Sequence, residues 1–221
     1  MMKKYILIAL ALLLALSITG ALGEETEPTE YTCGDYEYIL LPDGTAEISR
    51  YIGQATERTV PSQLDGYNVT SIGDEAFLSC NSLASITIPE SVTSMGINPF
   101  AGCWKLAQIK VSPDHPVFAI IDNVLFHKQE KKLICYPGGL TAESYTVPTG
   151  IRMIGDDAFY YCDSLASITL PKSITQIDST AFTWCSDNLI ITVPRGSYAA
   201  DWCKKENLNY TYSDANDWLL N

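Results

Sequence analysis

The chain has 221 residues, 47% of them apolar, and carries 14 basic residues against 26 acidic ones for a net charge of −12. That field repels phosphate backbones and anionic headgroups, so nucleic acid and acidic membrane surfaces are not expected partners. The apolar share is enough for a continuous core without disulfides, and the odd count of seven cysteines leaves at least one thiol unpaired in a monomer.

Residues 1–23 read as a secretory signal. Lys3 and Lys4 precede an apolar run from Tyr5 to Leu16, and small residues around Ala21 and Gly23 place cleavage after Gly23. The run is shorter than the ~20 residues of a membrane span, and no second long apolar segment follows it. A secreted or cell-surface chain is therefore expected, with no membrane insertion after cleavage. Loss of Lys3 and Lys4 leaves 12 basic residues and 26 acidic ones, a net charge of −14. Residues 24–30, EETEPTE, have nothing apolar to bury and read as an acidic linker.

Residues 31–71 read as an N-terminal hairpin cap with the first strands. Within them Tyr36 to Tyr51 forms two alternating runs around Pro42, Asp43 and Gly44, the pattern of a β-hairpin. From 72 to 195 one unit recurs with a 23-residue period. Phe77, Cys80, Leu83 and Ile86 return as Phe100, Cys103, Leu106 and Ile109, and Phe159, Cys162 and Ile168 return as Phe182, Cys185 and Ile191. Such a period marks stacked repeats. The strand SITIP, Ser85 to Pro89, alternates so that Ile86 and Ile88 face inward, and Pro89 ends it. SVTSM, Ser91 to Met95, reads as a second short strand, and the A-F-x-x-C piece as one helical turn with Phe77 and Cys80 on a shared face. Cys80, Cys103, Cys162 and Cys185 occupy one slot of the unit, which predicts reduced, stacked thiols in the core.

The period lapses in an irregular insert, 112–144. Its pieces VLF (Val124 to Phe126) and LICYP (Leu133 to Pro137) are expected to pair through a polar turn and carry the solenoid onward. Residues 196–221 read as a capping helix and tail, with Ser197 as helix start. The fold class expected from these elements is a repeat solenoid, mainly β with short helical turns.

The pattern I-G-x-x-A-F-x-x-C-x-x-L-x-x-I-x-I-P, with IGDEAF at Ile72, CNSL at Cys80, SITIP at Ser85, the DNVLF and LICYPGG insert and the terminal VPRGSYAADWC at Val193, resembles the BspA-like leucine-rich repeats. This family, also called the Treponema pallidum type, is common in secreted and surface proteins of bacteria. The resemblance spans about Tyr31 to Tyr212. It implies a right-handed leucine-rich-repeat superhelix closed by an N-terminal β-hairpin cap and a C-terminal helical cap, and a role in adhesion or interaction. Met95 and Asn98 depart from the usual start of a unit, and Asn188 takes a Leu slot with Leu189 beside it.

Catalytic patterns are not evident. His115 and His127 both lie in the insert and read as loop residues, and no H-x-x-x-H, C-x-x-C or G-x-S-x-G spacing occurs. The acid pairs Asp74, Glu75 and Asp156, Asp157 lie 82 residues apart without acids in the units between, so no calcium ladder is expected. They read as acids at the start of the helical turns. No catalytic, metal or cofactor site is expected, and no cofactor. Because the repeating residues are committed to the core, binding is expected from the positions between them. The outward strand positions are Ser85, Thr87, Gln108, Lys110, Ser167, Thr169, Ile190 and Thr192, and the aromatics flanking the repeat cysteines are Trp104, Tyr160, Tyr161 and Trp184. The expected function is non-enzymatic recognition of an extracellular protein or glycan by a monomer. The alternative is a structural or spacer module of a cell-envelope assembly without a discrete ligand, and a hydrolase is a remote third.

Overall fold

The computed structural model describes residues 28–214, so the signal reading and most of the acidic linker, like the last seven residues of the tail, lie outside the described residues. The 23-residue period of the sequence is the register of the sheets. Ser71 pairs with Ser94, Ile86 with Ile109, Tyr145 with Ile168, Ile168 with Ile191 and Met153 with Gln176, every pair being parallel. Each regular coil therefore gives one short strand to each of two ladders. One ladder stacks Glu57–Thr59, Ser85–Thr87 and Gln108–Lys110, and it resumes beyond the insert with Ser144–Thr146, Ser167–Thr169, Ile190–Val193 and Tyr210–Tyr212. The other runs from Ala46–Tyr51 through Tyr67–Ile72 to Ser94–Met95, and resumes with Lys132–Cys135, Met153–Ile154 and Gln176–Ile177. The protein is a mainly β repeat solenoid.

The hairpin around Pro42 forms as strands Tyr36–Leu40 and Ala46–Tyr51, preceded by the antiparallel Glu30–Cys33. Its turn is closed by the Gly44 N–H on the Leu41 carbonyl and by the Asp43 carboxylate accepting from the Thr45 N–H. Helix Tyr198–Lys205 is the one α-helix among the described residues, and Ser197 caps it by accepting from the Ala200 N–H. Trp202 projects from it onto Phe182, with ring centroids 5.8 Å apart.

Two local expectations are corrected. SVTSM contributes only Ser94–Met95 as strand, because Pro89 turns the chain and its carbonyl takes the Val92 N–H. The A-F-x-x-C piece is not helical. It is a run of turns in which Glu75 and Ser79, and likewise Asp157 and Tyr161, take left-handed φ values. This geometry frees alternate N–H groups for the next coil: Glu75, Phe77 and Ser79 donate to the carbonyls of Ile97, Pro99 and Ala101. A helical turn would have kept those donors inside the unit, whereas here the backbone is satisfied only by its neighbour.

Between the coils the aromatic slots form columns. Phe77 lies between Tyr51 at 5.2 Å and Phe100 at 5.5 Å, and Phe159 lies between Tyr136 at 5.5 Å and Phe182 at 5.1 Å. Tyr136 is 23 residues before Phe159, so the end of the insert already holds the repeat's slot. All seven cysteines are unpaired. The thiols of Cys103 and Cys185 donate to the carbonyls of Phe77 and Phe159, at 2.9 and 3.0 Å. Cys103 and Cys162 are buried, whereas Cys80 and Cys185 are only half-buried. Burial pushes the Cys135 thiol up to about 12 and the Cys185 thiol up to about 11.

The insert breaks both strand ladders but not the core. Val124, Phe126 and Leu133 pack into the C-terminal cluster, while Phe118, Leu125, Ile134 and Cys135 pack into the N-terminal one. Strands Val124–His127 and Lys132–Cys135 are thus buried on both sides and join two halves of one stack. Their return is close. Gly139 donates its N–H to the Leu106 carbonyl, and a Cβ there would lie 2.6–2.7 Å from the backbone of Lys105 and Leu106.

Phe159→Ala removes a fully buried ring held on both faces, and should cost about 3–5 kcal/mol, read as a lower urea midpoint. Alkylation of the native protein in mildly alkaline buffer should modify the half-buried Cys33 and Cys80 first. Buried Cys103, Cys135, Cys162 and Cys203 should react only as fast as the chain opens, as followed by whole-protein mass spectrometry.

Candidate functional site

The outward strand positions do not make one face. Ser85, Thr87, Gln108 and Lys110 lie on the three-stranded ladder before the insert, and Ser167, Thr169, Ile190 and Thr192 on the four-stranded ladder after it. Ser85 is buried, because its neighbour Gln108 lies over it with Oε1 3.4 Å from the Ser85 hydroxyl. Thr87, Ser167, Thr169 and Thr192 are half-buried, and only Gln108, Lys110 and Ile190 stand exposed.

The aromatics are brought together. Trp104 packs against Tyr161 at 5.7 Å, Tyr161 against Trp184 at 6.1 Å with planes 24° apart, and Tyr160 against Tyr161 at 5.7 Å. Trp104 and Trp184 are 55% and 64% exposed. Three coils therefore carry one contiguous, solvent-facing aromatic column that crosses the level of the insert. Contiguity holds because Asn98 of the second unit donates from Nδ2 to the Asp157 carbonyl at 2.7 Å, and Tyr136 donates its N–H to the Ala158 carbonyl. The column ends at a groove of about 350 Å³ between the last coil and the segment after the helix. Phe182, Trp184, Leu189 and Leu208 line it on the apolar side, and Asp187, Asn207 and Asn209 on the polar side.

Tyr161 and Trp184 occupy the slot directly before the repeat cysteine, where φ is +58° and +59°. The same slot holds Ser79 at +56° and Gly102 at +69° in the earlier units. A side chain in this conformation costs about 1–2 kcal/mol by crowding its Cβ against the carbonyl. Glycine avoids that cost, so coil geometry alone does not call for a bulky aromatic there. The column itself was within reach of sequence reading, which placed all four rings beside the cysteines. The groove residues were not, because Asn207 to Asn209 belong to no repeat.

The repeat acids converge more than their separation suggests. Stacking brings Glu75, Asp156 and Asp178 around Asp157, whose carboxyl is pushed up first by burial and then by these charges. Asp74 serves as a bridge, its Oδ1 accepting the Ile97 N–H at 2.7 Å. No group of three or more potential metal ligands gathers among the described residues.

His115 is fully buried and is not a loop-surface residue. Its Nδ1 accepts the N–H groups of Val117 and Phe118, and its Nε2 faces the Pro89 carbonyl at 3.3 Å, so it is a core anchor of the insert. His127 shares a small cleft with Ser94 and Glu130. Both of its nitrogens are turned to Glu130, Nδ1 to the backbone N–H and Nε2 to the carboxylate at 3.7 Å, and the Ser94 hydroxyl makes no hydrogen bond to the ring. That arrangement does not activate a serine.

Comparison with known proteins places this architecture. The BspA type leucine rich repeat region (6 copies) matches residues 134–199. The Treponema pallidum leucine-rich repeat protein is 31% identical over 74% of this chain and 71% of its own, with a TM-score of 0.47. The chain belongs to the BspA-type leucine-rich repeat family. A leucine-rich repeat protein from Bacteroides capillosus is 27% identical over 73% of this chain and 97% of its own, with a TM-score of 0.39. A leucine rich cell surface protein from Faecalibacterium prausnitzii is 19% identical over 88% and 97%, with a TM-score of 0.40. No curated protein matches the chain. No helix among the described residues is long and apolar enough to cross a membrane.

Because the Asp157 carboxyl titrates above its ordinary value in the fold, its contribution to stability is present at acid pH and is lost as pH rises through the raised value. Asp157→Asn, which suits the φ of +50° there, should raise the melting midpoint at neutral pH and leave it unchanged in acid. Melting curves across pH check this.

Proposed function

We propose that this BspA-type protein is an exported, non-enzymatic recognition module that presents a preorganised surface to an extracellular protein or glycan. The single observation behind this reading is the exposed column Trp104–Tyr161–Trp184, contiguous across three coils and set in part on backbone that favours glycine. Large rigid aromatics exposed as one patch are what contact sites use, and their low rotamer freedom keeps the ordering cost of binding small. The coils beneath are tied by inter-coil hydrogen bonds, so binding needs little structural change. The leader read at residues 1–23 supports placement outside the cytoplasm, as a secreted or surface protein.

The test is a screen against matrix proteins, mucins and glycans with the wild type, Trp104→Ala and Trp184→Gly. Glycine fits the φ at 184, so Trp184→Gly keeps the fold while deleting the ring. Each variant is expected to bind a hit at least about tenfold more weakly at unchanged melting temperature. A screen without hits favours a spacer module of the envelope.

A further inference from the structure

The aromatic column is bordered by carboxylates. Glu75 and Asp157 lie close enough to Tyr160 to act on its hydroxyl, with burial the larger influence. Asp163 is exposed two residues beyond Tyr161, its N–H bonded to the Tyr161 carbonyl at 2.9 Å. Asp187 is exposed at the groove where Trp184 ends the column. None of these four takes part in an ion pair among the described residues. Against them stands the nearby cation Lys105, beside Trp104. Exposed indole and phenol faces attract cations through their ring quadrupoles, and an overall charge of −12 adds long-range attraction of the same sign.

From this complementarity we infer that the partner of the column is a basic protein segment, whose arginine or lysine side chains pack on Trp104, Tyr161 and Trp184 and pair with Asp163 and Asp187. The assignment rests on the recognition reading above and narrows it to a cationic polypeptide. Anionic glycans and phosphorylated ligands would meet unpaired carboxylates, and a neutral glycan would leave those carboxylates unused. The groove beyond Trp184 offers the incoming chain hydrogen-bonding partners in the side chains of Asn207 and Asn209.

The test titrates the intact protein with a fluorescent oligo-arginine peptide spaced by glycine and serine, with the same peptide carrying glutamine for arginine, and with a neutral chito-oligosaccharide. The arginine peptide should bind, and the glutamine peptide should bind at least about tenfold more weakly. Trp104→Ala and Trp184→Gly, which leave the charge untouched, should each weaken the arginine peptide about fivefold to tenfold. Asp163→Asn with Asp187→Asn should weaken it and flatten its salt dependence. Equal binding by wild type and the tryptophan variants would show only diffuse attraction to an acidic protein, and would overturn the inference. If the chito-oligosaccharide binds in place of the arginine peptide and loses affinity in the tryptophan variants, the cationic assignment falls while recognition through the column stands. Failure of all three probes to bind also overturns the cationic assignment.

Discussion

The structure depends on one constraint, that each coil satisfies its backbone and buries its ring only through the coil beside it. The N–H groups of Phe77 and Phe159 go to Pro99 and Ala181 of the following units, and the rings themselves are sandwiched between the aromatics of both neighbours. A single unit has neither the internal hydrogen bonds of a helix nor the area to cover a phenylalanine, so stability is a property of adjacency. The left-handed residues at Glu75 and Asp157 follow from the same need, since they turn alternate donors outward along the stack.

The insert shows how far this constraint can bend. It interrupts both strand ladders, yet its strands bury alternate side chains into the two core clusters, and Gly139 brings the chain back against Leu106 at a distance that excludes a Cβ. Asn98 then bonds across to Asp157, which holds the coils on either side of the insert in contact. His115 and His127 serve this part of the molecule, the first as a buried hydrogen-bonding centre for Pro89, Val117 and Phe118, the second through Glu130. The functional surface depends on the same adjacency. Without the tight return of the insert, Trp104 would not reach Tyr161, and the column would be three separate rings.

Much of this was legible in the residues. The spacing of Phe, Cys, Leu and Ile named the core, the Pro42–Gly44 turn named the hairpin, and Ser197 named the helix start. The aromatics beside the cysteines were visible as the unrepeated residues of a repeating frame. What misled were local patterns read without their neighbours. A-F-x-x-C suggests a helical turn only if its donors stay within the unit, and Ser85 counts as outward only until Gln108 folds over it. Asp74 and Asp157 look independent at 82 residues apart until stacking closes the distance.

The sequence by itself determined the repeat register, because residues 23 apart must present the same side chain to a shared core and the pattern records that demand directly. It also determined which residues were free of the core. Only the tertiary structure decided which of those free residues meet. Contact between Trp104 and Tyr161, convergence of Glu75 on Asp157, and the groove joining Trp184 to Asn207 and Asn209 arise between coils out of period with one another. A period cannot specify them; they are set by how the insert and the C-terminal segment pack.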